Sequence, residues 1–118
     1  MSYDVELTDP ETGRVYELPY AMAFREGTQA VGGAMYAETN ITYNYSNHFY
    51  TVLGKKGIRE LYGKRAEDTL PLLESAINAL NDDADEDYWK STEGNARLAL
   101  IQLLMLARMF PDGIWQGD

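Results

Sequence analysis

Two helical periodicities in the second half of the chain constrain the fold most tightly. Leu70, Leu73, Ile77 and Leu80 recur at spacings of three and four, which predicts a helix over Asp68 to Leu80 with a single apolar stripe. Thr92 is a competent N-cap for a second helix, Glu93 to Met109, with Ala96, Leu100, Leu103, Leu104 and Ala107 on its apolar face. That second helix is apolar over much of its circumference, so it needs cover on more than one side. The first helix can supply one side and a sheet the other. Pro71 is compatible with a helix that starts near Glu67 or Asp68, because in the first turn its missing N–H would have no intrahelical partner. Pro111-Asp112-Gly113 stops the second helix, and Trp115 in the tail is expected to pack back on the body.

The sheet has to come from the first half. Tyr3-Asp4-Val5-Glu6-Leu7 alternates apolar and acidic residues with period two, and Val15-Tyr16-Glu17-Leu18 resumes that pattern after D-P-E-T-G-R. A β-hairpin is expected, with Gly13 supplying a positive φ in the turn and Asp4, Glu6 and Glu17 on a solvent face. Pro19 to Gly33 reads as an irregular connection punctuated by Gly27, Gly32 and Gly33. From Ala37 to Tyr45 the alternation returns. Thr39, Ile41, Tyr43 and Tyr45 would point one way from a strand, and Glu38, Asn40, Thr42 and Asn44 the other. Ser46 or Asn47 then caps a short helix carrying Phe49, Val52 and Leu53, closed by Gly54, and another short helix is expected around Ile58 to Tyr62. The expectation is a single α+β domain over residues 1–118: a small antiparallel sheet from the hairpin and the central strand, packed by two long C-terminal helices and shorter ones.

Composition narrows the function classes. A formal net charge of -9 gives a field that repels nucleic acid and anionic membranes and favours a basic partner. The chain has no cysteine, which excludes disulfides, thiolate metal sites and cysteine nucleophiles and fits a reducing cytoplasm. M-S-Y-D-V-E-L has neither a basic n-region nor an apolar h-region, so no secretory signal is expected. The apolar run from Leu98 to Met109 is too short to span a bilayer. The chain reads as cytoplasmic, and the sequons at Asn40 and Asn44 carry no expectation of glycosylation.

Candidate chemistry concentrates around Glu38 to Tyr50, E-T-N-I-T-Y-N-Y-S-N-H-F-Y, which holds the single histidine, His48. No second histidine, no G-x-S-x-G and no phosphate-loop spacing completes a catalytic or metal site with it, so catalysis is not expected. Asp83, Asp85 and Asp87 match the first, third and fifth places of a calcium loop. The sixth place is Tyr88 instead of glycine and the twelfth is Gly94 instead of glutamate, so a solvated loop is expected, with neither metal nor cofactor. Between Ala37 and Arg65 two acids face five bases, which reverses the charge of the flanks. Asn40, Thr42, Asn44, Tyr45 and His48 with Lys55, Lys56, Arg59 and Arg65 are the ingredients of a site for a phosphate-bearing, nucleotide-like molecule. The competing expectation is that the bases pair with the chain's own acids and that the Asn and Thr side chains satisfy its own backbone.

Three stretches carry a family resemblance: N-I-T-Y-N-Y-S-x-H-F-Y from Asn40 to Tyr50, G-I-R-E-L-Y-G-K from Gly57 to Lys64, and D-Y-W-x-x-T-E-G-N-A from Asp87 to Ala96 with the ending P-D-G-I-W-Q-G-D. In these the chain resembles a family of small phage and prophage accessory proteins. The resemblance implies no catalytic residues. It implies stoichiometric binding and inhibition of a host protein, such as a defence or nucleic-acid-processing factor, or sequestration of a small signalling molecule. The acidic balance adds that a protein partner would present a basic surface, and exposed tyrosines leave self-association as a further expectation.

Overall fold

The computed structural model describes residues 1–19 and 36–118. Strand β1 (Ser2–Thr8) lies at the centre of a three-stranded antiparallel sheet, with β2 (Glu38–Thr42) on one side and β3 (Ile114–Gly117) on the other. Between β2 and β3 the chain forms α1 (Ser46–Val52), α2 (Ala66–Ala79) and α3 (Glu93–Met109), with 3-10 turns at Tyr43–Tyr45 and Gly57–Leu61. The α+β class and the two long helices expected from periodicity are present. No helix among the described residues is long and apolar enough to cross a membrane.

The alternation along β1 sends Tyr3, Val5 and Leu7 to one face, and all three are buried there. Thr39 and Ile41 of β2 and Trp115 of β3 join them. This face packs on the helices, where Leu73, Ala76 and Ile77 of α2 meet Ala96, Ala99, Leu100, Leu103, Leu106 and Ala107 of α3 in the same cluster. Helix α3 contributes eight buried residues, more than any other element, as its broad apolar circumference requires. Thr92 caps it, its hydroxyl accepting from the Asn95 N–H at 3.0 Å.

The sheet differs from the expected hairpin. Val15–Leu18 makes no ladder with β1. It is tied by isolated bridges, Thr8 to Val15 and Glu17 to Tyr36, and by a closed ring of three backbone bonds. In that ring Leu7 N–H donates to Ala37, Ala37 N–H to Tyr16, and Tyr16 N–H to Leu7. Tyr16 therefore wedges between the ends of β1 and β2, and the free edge of β1 is taken by β3. Gly13 does adopt the positive φ expected of it, at 72°. Beyond Pro19 the expected irregular connection lies outside the described residues.

Helix α2 starts two residues earlier than expected, at Ala66, which puts Pro71 in the second turn on an exposed flank. The early start has a physical reason. The N–H groups of Ala66 and Glu67 donate to the carbonyls of Gly113 and Pro111 at 2.7 and 3.0 Å, so the turn that ends α3 caps α2. Arg65 fastens the same corner through Glu67 and Asp112, at 2.8 and 2.6 Å.

One buried polar atom is left over. The Tyr62 hydroxyl is the one buried side-chain polar atom among the described residues without a hydrogen-bond partner. Gly117 of β3 lies against its ring, and burial, followed by the Asp118 charge, pushes the phenol well above its ordinary pKa. Tyr62→Phe is expected to raise unfolding stability by about 1 kcal/mol, because it removes a desolvated hydroxyl and breaks no bond. A urea melt that moves to lower midpoint would show that the hydroxyl is satisfied in solution.

Candidate functional site

The strand expected over Ala37 to Tyr45 ends at Thr42. There the Thr42 hydroxyl accepts from the Asn44 N–H at 3.2 Å and caps the 3-10 turn Tyr43–Tyr45. The bend removes Asn44 and Tyr45 from the sheet and turns them, with His48 of α1, toward the segment 87–91 that precedes α3. Asn44 Nδ2 donates to the Trp89 carbonyl at 2.7 Å, the Tyr45 hydroxyl donates to the Tyr88 carbonyl, and His48 Nε2 lies 3.0 Å from the Ser91 carbonyl. Ser91 Oγ donates to Asn47 Oδ1 at 3.2 Å. The Asn/Tyr/His richness of this stretch is thus used as a clasp on a distant loop.

The remaining sequence candidates lie elsewhere. Asn40 stays on β2 and donates to Ser2 Oγ and Asp4 Oδ1, at 2.7 and 2.6 Å. Arg59 lies 5.1 and 5.9 Å from the ring centroids of Tyr3 and Tyr43. It donates to the Asp118 main-chain oxygen at 2.8 Å and to the Tyr43 hydroxyl at 3.2 Å. The Tyr43 bond, more than any other cause, makes it hold its proton more firmly. Arg65 is likewise held charged, first by Asp112 and then by Glu67. Lys55 and Lys56 are exposed just before the 3-10 turn Gly57–Leu61 and make no ion pair among the described residues. Thus Asn44, Tyr45 and His48 share one loop, Arg59 and Arg65 serve two other corners, and none of the nine candidates lines either of the two grooves described below.

The acidic loop also proves to be internally engaged. Asp83 Oδ1 accepts from Gly94 N–H at 2.9 Å at the start of α3, Asp85 Oδ1 from Asp87 N–H at 2.8 Å, and Asp87 Oδ1 from Trp89 N–H at 3.1 Å. These carboxylates cap backbone donors. Among the described residues no group of acids and histidine is arranged to hold a metal ion.

The arrangement that sequence reasoning did not isolate is the outer face of the sheet. Register sets Glu6 of β1 directly opposite Glu38 of β2, with Asp4 opposite Asn40. The neighbouring Leu7 N–H donates across to the Ala37 carbonyl, so Glu6 and Glu38 fall on a non-hydrogen-bonded pair, where Cα atoms approach to about 4.5 Å. Neither carboxylate has an ion-pair partner among the described residues. Partial burial, then Glu6, then Asp4 raise the Glu38 carboxyl above its ordinary pKa.

Two grooves adjoin at this pair. One, of about 530 Å³, is lined by Asp4, Glu6, Thr8, Gly13, Gln116, Gly117 and Asp118. The other, of about 350 Å³, is lined by Arg14, Val15, Glu17, Tyr36 and Glu38. Five carboxylates and one guanidinium therefore stand on their walls. The signal was present in the sequence as acids alternating with apolar residues, but only the strand register brings Glu6 to Glu38. Such a face can receive cationic groups. No family model, no curated protein and no solved structure matches this chain.

Proposed function

We propose that this chain is a non-catalytic binding protein that occupies a basic surface of a protein partner in stoichiometric ratio, using the outer face of its sheet. The observation that carries this reading is the Glu6–Glu38 pair: like charges directly opposite each other, neither with an ion-pair partner among the described residues, beside two grooves whose walls hold five carboxylates and one guanidinium. Like charges in that position destabilise a sheet, and a basic partner would relieve the repulsion on docking. The resemblance to phage and prophage accessory proteins supplies the setting, a host protein inhibited or modulated by occupation. The alternative, a nucleotide-like ligand held by Asn40, Thr42, Asn44, Tyr45, His48, Lys55, Lys56, Arg59 and Arg65, is less well supported. Most of those side chains already bond to the protein itself, and they do not converge.

The double variant Glu6→Gln, Glu38→Gln separates function from fold. A carboxyl whose pKa is raised on folding favours the folded state below its unfolded pKa, and that contribution is lost as pH rises through the folded value. The neutral pair should therefore be more stable than the parent at neutral pH, by up to about 1 kcal/mol, and the gap should close in acid. Used as bait in a bacterial lysate, the parent should retain a protein in stoichiometric amount, released by rising salt, and the double variant should not. Equal retention by both baits, or no stoichiometric partner for either, overturns the proposal.

A further inference from the structure

The same clasp that absorbs Asn44, Tyr45 and His48 leaves one large side chain outside. Trp89 is 54% exposed, although the backbone on either side of it is fastened from two directions. From the side of α1 come the bonds to the carbonyls of Tyr88, Trp89 and Ser91. From α3, the buried Asn95 donates to the carbonyls of Asp87 and Lys90, at 3.1 and 2.9 Å. Asp87 holds the Trp89 N–H. None of these bonds uses the indole, so the fastening of residues 87–91 does not account for its place in solvent. The Tyr88 ring, 4.5 Å from the indole at an interplanar angle of 36°, backs it on one side.

The segment that leads to this ring is acidic. Asp82, Asp83, Asp85, Glu86 and Asp87 precede it, and Lys90, which follows it, pairs with Asp85 at 3.4 Å. An indole face attracts a cation through its quadrupole, and a planar guanidinium also stacks on it while its N–H groups reach neighbouring carboxylates. A fixed aromatic loses little conformational freedom on binding, which is the usual property of an interface anchor.

We propose that Trp89, backed by Tyr88, held at its N–H by Asp87 and preceded by the acidic residues 82–86, is a docking anchor for an arginine side chain of the protein partner. This rests on the reading of the chain as a binder of basic surfaces and adds a specific contact apart from the sheet face. It differs from charge attraction alone, because stacking distinguishes arginine from lysine.

The test uses the full chain and two probes of equal charge, a hexa-arginine and a hexa-lysine peptide, followed by the two indole N–H signals in an NMR titration. The Trp89 signal should shift saturably with hexa-arginine. The Trp115 signal should stay fixed, since that indole is buried and bonded to Thr69 Oγ1 at 2.9 Å. Trp89→Ala should weaken hexa-arginine binding about tenfold, with an unchanged melting temperature, and hexa-lysine should bind the parent several-fold more weakly than hexa-arginine. Hexa-arginine binding that moves the amides of Asp4, Glu6 and Glu38 while Trp89 stays silent overturns this inference and leaves the sheet-face reading standing. Equal affinity for the two peptides also overturns it. No binding of either peptide removes both readings.

Discussion

Gly94→Ala is expected to lower unfolding stability by about 3 kcal/mol, the upper end of the range for a side chain forced into a filled space. Gly94 is buried in the first turn of α3, where alanine would ordinarily be the better helix former. Here the acidic loop crosses directly over it. A Cβ on Gly94 would overlap the Ala84 backbone nitrogen and the Asp83 carbonyl carbon, and would lie 2.7 Å from the Ala84 Cα. All three are backbone atoms, so no rotamer change can make room. Moving the loop would also break the bond from Gly94 N–H to Asp83 Oδ1, which satisfies one of the open donors of the helix. The measurement is a urea melt followed by far-UV circular dichroism. Gly13→Ala is the control: its φ of 72° disfavours a side chain, but nothing lies within 4 Å of the added carbon, so only about 1 kcal/mol is expected. A Gly94→Ala chain no weaker than that control would mean that the loop does not rest on the helix in solution.

The elements that periodicity could reach were legible in the sequence, and the reason is local. Helix α3 runs from Glu93 to Met109 as expected, because Thr92 caps it and Pro111-Asp112-Gly113 closes it within the same short stretch. Helix α2 starts before its apolar pattern does because its cap comes from beyond the far end of α3, through the carbonyls of Gly113 and Pro111, and no pattern around Ala66 reports that. The sheet shows the same division. Alternation located β1 and the buried face of β2, but Val15–Leu18 looked as strand-like as β1 itself. Strand-like pattern does not say which strand wins an edge, and the four residues of β3, read as a tail, won it.

The candidate site divides in a similar way. The residue types of the Asn40 to Tyr50 stretch are unusual for this chain, and their hydrogen-bonding capacity is used. Its partners, the carbonyls of Tyr88, Trp89 and Ser91, lie more than forty residues away. A sequence shows donors and acceptors but not whether they meet each other or a ligand. The acid pair was hidden for the opposite reason. Glu6 and Glu38 are ordinary surface residues until register places one opposite the other, and a one-residue slip would have set Glu38 beside a different neighbour.

Trp115→Ala is expected to cost about 4 kcal/mol, a large share of the 5–15 kcal/mol that a domain of this size commonly has. Trp115 is the largest fully buried side chain among the described residues and the reason that four terminal residues hold a sheet edge. Its backbone pairs on both sides. β3 registers Trp115 against Leu7 of β1, and on the far edge Trp115 N–H donates to the Lys64 carbonyl while its own carbonyl accepts from Gly63 N–H, at 3.0 and 2.8 Å. The ring reaches between sheet and helices, where Nε1–H donates to Thr69 Oγ1, and that hydroxyl donates in turn to the Ala66 carbonyl at 2.7 Å. Truncation leaves a cavity at the junction of β1, β3 and α2, and the turn that caps α2 lies only two residues away. Loss should therefore spread beyond the cavity: amides of Ala66 and Glu67, protected by Gly113 and Pro111, should exchange faster in Trp115→Ala than in the parent. Trp115→Phe keeps most of the volume and gives up the indole bond, so it should fall between the two in a urea melt. If Trp115→Ala melts within 1 kcal/mol of the parent and the α2 amides keep their protection, then β3 is not fastened by its tryptophan, and the corner must be held by Arg65, Glu67 and Asp112 alone.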